Sequence, residues 1–140
     1  MSVEVEVTAV AALRWHEVCM LTDLSPERGS AALVEGVQVA LFRTHDDQVY
    51  AVQQLDPYSA ANVMSRGIVG SRGEVPTVAS PMYKQVFDLR SGECLDAVGK
   101  DPQPLRSYAV SVLDGVVSVA LPVSDLPAGL PGSDPPGGVA

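Results

Sequence analysis

Two β-branched runs, Tyr108-Ala109-Val110-Ser111-Val112-Leu113 and Val116-Val117-Ser118-Val119-Ala120, are separated by Asp114-Gly115 alone. Asp-Gly in that setting signals a hairpin, because a type I′ turn needs φ > 0 at both central residues. Antiparallel pairing is thereby fixed at one place in the chain. Further short strands are expected at 15–20, 37–42 and 49–52, the last two joined through the polar turn Thr44-His45-Asp46-Asp47. Shorter candidates at 77–79 and 85–88 flank 80–84, and Arg90-Ser91-Gly92 reads as the next turn. Helix signals are thin. Residues 24–29 offer one turn, with Ser25 as N-cap and Pro26 at the first helical position, and 60–65 offer another. Many short strands with frequent turns predict an all-β chain, an antiparallel sandwich or barrel.

A chain of 140 residues makes about one domain. The final stretch, 121–140, holds five Pro and four Gly and predicts a flexible tail behind a domain spanning 1–120. Residues 53–76 form a long polar stretch, so 53–95 is expected to be a small, loop-rich inserted subdomain. Gly67, Gly70 and Gly73 read as turn glycines, because Pro76 and a β-like run follow where a phosphate loop would open a helix. The net charge of −8 argues against nucleic-acid binding. Within this acidic chain, residues 62–90 carry four basic side chains against two acidic ones and stand apart as net positive. No apolar run approaches the ~20 residues that span a bilayer. The opening residues lack the basic start of a secretory signal, and two cysteines make no disulfide scaffold, so a cytoplasmic chain is expected.

Two Cys and two His match the inventory of a zinc site. Their spacing does not match one. His16 and Cys19 lie three apart on an expected strand and should face opposite sides, while His45 and Cys94 belong to other turns. Cys19 and Cys94 read as small buried hydrophobes, and His16 and His45 as surface or interface residues. Ser80 lacks the Gly-x-Ser-x-Gly elbow of a hydrolase and is followed by Pro81. No catalytic residue is assigned.

Two stretches carry a more specific pattern: Tyr50-Ala51-Val52-Gln53-Gln54-Leu55-Asp56-Pro57-Tyr58-Ser59, and 79–95 with Ser80-Pro81-Met82-Tyr83-Lys84-Gln85-Val86-Phe87-Asp88. Together they resemble the two cluster loops of a Rieske ferredoxin domain, in which Cys-Pro-His and Cys-Pro-x-His hold a [2Fe–2S] centre. Asp56 and Tyr58 stand at the first pair of ligand positions, Ser80 and Tyr83 at the second. The frame is kept and all four ligands are replaced, so no metal is expected there. With Trp15, Val18-Cys19, Leu21 and Ser65-Arg66-Gly67-Ile68-Val69-Gly70, the chain is similar over roughly 14–120 to the small subunits of assimilatory NAD(P)H-dependent nitrite reductases.

That resemblance implies a Rieske-like fold with no redox centre of its own. It also implies a large-subunit partner carrying flavin, a [4Fe–4S] cluster and sirohaem, which reduces nitrite to ammonium with electrons from NAD(P)H. Catalysis is then expected on the large subunit, with this chain as accessory. Two alternatives remain at this point: a Rieske-type electron-transfer protein with atypical ligands, and a free-standing binding module for another oxidoreductase. Tyr58 and Tyr83, with Arg66 and Lys84, are the expected partner-binding residues, since aromatic side chains with a polar end suit an interface. The competing reading has the tyrosine rings fill the volume that the cluster vacated.

Overall fold

The computed structural model describes residues 12–137. The opening residues of the 1–120 span, and residues 138–140 at the end of the expected tail, lie outside the described residues. Ten strands form two antiparallel sheets. They are β1 (Leu13–Met20), β2 (Arg28–Val34), β3 (Val37–Arg43), β4 (Val49–Gln53), β5 (Ile68–Arg72), β6 (Val75–Ala79), β7 (Val86–Asp88), β8 (Cys94–Asp96), β9 (Ser107–Leu113) and β10 (Val116–Pro122). The larger sheet runs β1-β10-β9-β4-β3-β2 and the smaller β5-β6-β7-β8, so the smaller is wholly contained in the chain between β4 and β9. Asp114 and Gly115 have φ of 52° and 80°, as the hairpin between β9 and β10 requires.

β3 shows why the two sheets belong together. Val39, Ala40, Leu41 and Phe42 are all buried, although successive side chains on a strand face opposite ways. Val39 and Leu41 enter one core with Leu24, Ala51, Val117, Val119 and Leu121. Ala40 and Phe42 enter a second core with Val52, Met64, Val78, Phe87 and Leu105. A strand apolar on both faces is a shared wall, and the uninterrupted apolar run is its sequence signature. Each large side chain buried there contributes about 2 kcal/mol.

Several expectations are corrected. The helical turn expected at 24–29 is absent. A 3₁₀ turn spans Leu21–Asp23 instead, Glu27 has φ of 64°, and β2 begins at Arg28 by pairing with β3. The turn expected at 60–65 reduces to a 3₁₀ turn at Met64–Arg66, since Ala60, with φ of 61°, cannot start a right-handed helix. Residues 53–76 are not one long loop, for they include β5 and its hairpin to β6. Of the three glycines there, Gly73 sits at the hairpin turn, Gly70 within β5, and Gly67 where β5 begins.

The assumed alternation along β1 also fails. A bulge at Val18 shifts the register so that His16 pairs with Val119 and Cys19 with Val117. Cross-strand partners share a face, so His16 and Cys19 lie on the same side. Among the described residues no group of three or more His, Cys, Asp or Glu is placed to hold a metal.

The tail boundary moves as well. β10 continues to Pro122, and Leu121 is fully buried in the larger core. Beyond it, the Ser133 N–H donates to the Leu13 carbonyl at 2.9 Å and the Trp15 N–H donates to Ser133 Oγ at 2.7 Å. Arg106 pairs with Asp125 at 2.8 Å. Proline-rich chain cannot form a ladder of its own, but it can satisfy single groups along the free edge of β1.

Candidate functional site

The two loops that carry the retained frame are one backbone structure built twice. The Asp56 N–H donates to the Ala61 carbonyl at 2.8 Å, and the Ser80 N–H to the Gln85 carbonyl at 2.9 Å. Four residues on, the Ala60 N–H returns to the Asp56 carbonyl at 2.8 Å and the Lys84 N–H to the Ser80 carbonyl at 3.1 Å. Proline follows the first residue of each loop, as Pro57 and Pro81. Ala60 and Lys84 close their loops with φ of 61° and 65°. The leading side chains cap the turns: Asp56 Oδ1 accepts from the Tyr58 N–H at 2.9 Å, and Ser80 Oγ accepts from the Met82 N–H at 3.1 Å.

The loops are joined at their bases. The Ser80 hydroxyl donates to Asp56 Oδ2 at 2.6 Å, with Asp56 0% and Ser80 1% exposed. A buried carboxylate needs such partners to remain in the interior. The structure therefore brings together the two positions that carry cysteine in the Rieske pattern and closes them with a hydrogen bond.

The two tyrosines do not behave alike. The Tyr58 hydroxyl donates to the Asp101 carbonyl at 2.8 Å and accepts from the Gln103 N–H at 2.8 Å. Its ring packs on Phe87 with centroids 6.4 Å apart. Burial pushes the Tyr58 phenol above its ordinary range, and the Cys94 thiol 3.6 Å away adds to the shift. Tyr58 thus ties the first loop to the segment between β8 and β9. Tyr83 stands 51% exposed and its neighbour Met82 46% exposed, with Lys84 also on the surface. Arg66 is exposed at the end of the 3₁₀ turn, beside β5. Just beyond it Ile68, 62% exposed, pairs with Ala79 at the entrance to the second loop. Met82 and Ile68 were not among the expected partner-binding residues. An apolar residue in a polar loop gives no sign of its exposure until the turn is known.

A [2Fe–2S] cluster in this frame needs two thiolates and two imidazoles. A carboxylate bonded to a hydroxyl, a phenol committed to the backbone and a phenol on the surface do not fit it. Fold and paired loops nevertheless define the class, that of Rieske-like domains: a family model described as a Rieske-like [2Fe-2S] domain matches residues 14–120. The nitrite reductase (NADH) small subunit of Escherichia coli is 39% identical over 108 residues, 76% of this chain and 96% of that one. A solved structure from Mycobacterium tuberculosis, designated an NADH-dependent nitrite reductase small subunit, superposes with a TM-score of 0.72 at 45% identity, covering 78% of this chain and 96% of that one. Within the Rieske-like class, the chain belongs to the nitrite reductase small-subunit family. A nitrite reductase [NAD(P)H] large subunit of Klebsiella oxytoca is also similar, 42% identical over 105 residues, which are 75% of this chain and 11% of that one. Among the described residues no helix is long and apolar enough to cross a membrane.

Proposed function

We propose that this chain is the accessory small subunit of an NAD(P)H-dependent nitrite reductase, which reduces nitrite to ammonium, and that its partner is the large subunit. The observation that carries the reading is a frame kept over the whole family match while the cysteine positions hold a buried Asp56–Ser80 hydrogen bond. A chain retained for electron transfer would need its ligands, whereas one retained for docking needs only its shape. The Klebsiella relative supports the partner, because there a segment similar to this chain forms part of the large subunit itself. It also weighs against a module serving another oxidoreductase.

This chain contributes no redox centre. Flavin, a [4Fe–4S] cluster and sirohaem belong to the large subunit, and the assembly works in the cytoplasm. The partner-facing part is the 53–95 subdomain on the 1–120 body. Tyr83 and Lys84 present the second loop, Arg66 and Ile68 flank it, and Tyr58 supports the first loop from within. Affinity capture of a sirohaem-containing large subunit by this chain, with the chain alone colourless in the visible range, is the expected result. Failure to capture it, or stoichiometric iron and sulfide on the isolated chain, would overturn the reading.

A further inference from the structure

The chain has seven arginines, all within the described residues. Five are held by its own carboxylates: Arg14 by Glu35, Arg43 by Asp47, Arg72 by Asp96, Arg90 by Asp88 and Arg106 by Asp125. The other two, Arg28 and Arg66, form no ion pair with any described residue. They come from sequence positions far apart, yet line the same open cleft of ≈ 470 Å³ between β2 and the start of β5.

The cleft is built by close backbone approach. A Cβ added at Gly29 would lie 2.3 Å from the Ser65 carbonyl oxygen and 2.6 Å from the Phe42 ring. A Cβ added at Gly67 would lie 2.6 Å from the Ala79 carbonyl oxygen. Glycine at 29 lets β2 press against the Met64–Arg66 turn, with Arg28 and Arg66 on either side of that contact, and glycine at 67 lets the start of β5 press against β6. The acidic residue of the lining, Glu27, accepts a hydrogen bond at 2.8 Å from the His45 N–H. Exposed Ile68 lies on the same lining.

Guanidinium forks match carboxylates in paired hydrogen bonds, and two forks in one cleft select an acidic group over a neutral one. A small free anion must approach a chain of net charge −8 unaided. A carboxylate carried by a protein already docked nearby need not. The cleft is also open, which suits a side chain more than an enclosed small ligand. We infer that the Arg28–Arg66 cleft receives an acidic segment of the large subunit, whose carboxylates pair with the two guanidiniums. This rests on the proposed partnership and adds β2 to the docking face.

The test is binding of the full chain to immobilised large subunit at low and high ionic strength. Arg28→Gln with Arg66→Gln should weaken binding about tenfold at low ionic strength, mainly through slower association. The loss should shrink at high ionic strength, where screening already weakens the pairs. Arg28→Lys with Arg66→Lys keeps the charge and should recover part of the affinity, which separates electrostatics from a folding defect. Carbodiimide treatment of the complex made with the Arg66→Lys protein should couple the introduced amine to an Asp or Glu of the large subunit. Binding by the unmodified chain, with the Gln variant indistinguishable from it, would overturn the inference alone. No binding by the unmodified chain would overturn the partnership and the inference together. Calorimetric binding of inorganic phosphate that the Gln variant loses, with partner affinity unchanged, would make the cleft a small-anion site and also overturn it.

Discussion

The loop at Asp56-Pro57-Tyr58-Ser59-Ala60 and the loop at Ser80-Pro81-Met82-Tyr83-Lys84 share hydrogen-bond pattern, proline position and left-handed closing residue. They differ in what they do with their aromatic side chain. In the first loop Tyr58 is the residue capped by the leading side chain, and its hydroxyl is bound to the backbone at Asp101 and Gln103. In the second loop Met82 takes that place and Tyr83, one residue later, projects to solvent. A shift of one position thus separates an internally tied ring from an exposed one on the same backbone. Asp56 and Ser80 join the loops and Tyr58 ties the first to the segment between β8 and β9, while Met82, Tyr83 and Lys84 lie on the surface, where docking is proposed.

The largest effect should come from removing what both loops share. Asp56→Ala leaves the Ser80 hydroxyl and the Tyr58 N–H without their acceptor in a fully buried site. The expected cost is about 3 kcal/mol of stability, read by denaturant unfolding. The Asp56→Ala/Ser80→Ala double variant should cost less than the sum of the single ones, because both single variants lose the same bond. Additive costs would mean that the loops are held independently. Next in size is Tyr83→Ala. With its side chain half in solvent, the variant should melt with the unmodified protein while losing about 2 kcal/mol of affinity for the large subunit. A lowered melting temperature with intact affinity would place Tyr83 among the holding residues instead.

Much of this was legible in the sequence where local chemistry decides the outcome. Asp114-Gly115 predicts its turn because only φ > 0 fits there, and 37–42 reads as a strand because it is rich in β-branched residues. The two proline-led loops were legible as a frame through their resemblance to Rieske loops. What escaped depends on distant chain. Gly29, Ser30, Ala31 and Ala32 have little strand preference, and they pair because β3 offers an edge and Gly29 fits under the Ser65 carbonyl. Arg28 could not be grouped with Arg66 without that strand. The Val18 bulge has no composition of its own, yet it moves Cys19 to the face of His16. The one-position offset between Tyr58 and Tyr83 is legible in sequence, but its consequence is not, because the acceptor and donor that hold Tyr58 come from residues 101 and 103.

Tyr58→Phe tests that distinction by removing a single oxygen. The ring contact with Phe87 survives, while the Asp101 carbonyl and the Gln103 N–H lose their partner. Both lie in an exposed stretch where water can replace the hydroxyl. The expected cost is therefore about 1 kcal/mol of stability, with affinity for the large subunit unchanged. A loss of affinity equal to that of Tyr83→Ala, without loss of stability, would make the two tyrosines equivalent after all.

The smallest expected effects come from Ala60→Gly and Lys84→Gly, and they bear most directly on whether the loops are one structure used twice. Ala60 and Lys84 occupy the left-handed region at φ of 61° and 65°, where a Cβ crowds the following carbonyl. That conformation costs a non-glycine residue roughly 1–2 kcal/mol. Glycine removes the strain but gives the unfolded chain more freedom to lose, roughly 0.5–1 kcal/mol. The difference favours glycine by about 0.5 kcal/mol at each site. If the two backbones are equivalent, both variants should raise the melting temperature slightly and by the same amount. Their binding should then diverge. Ala60→Gly leaves the proposed docking face untouched, whereas Lys84→Gly removes a cation beside Tyr83 and should slow association at low ionic strength. Equal stabilisation with unequal binding would establish shared geometry and divided roles. Unequal stabilisation would show that the second loop is strained for a reason the first does not share.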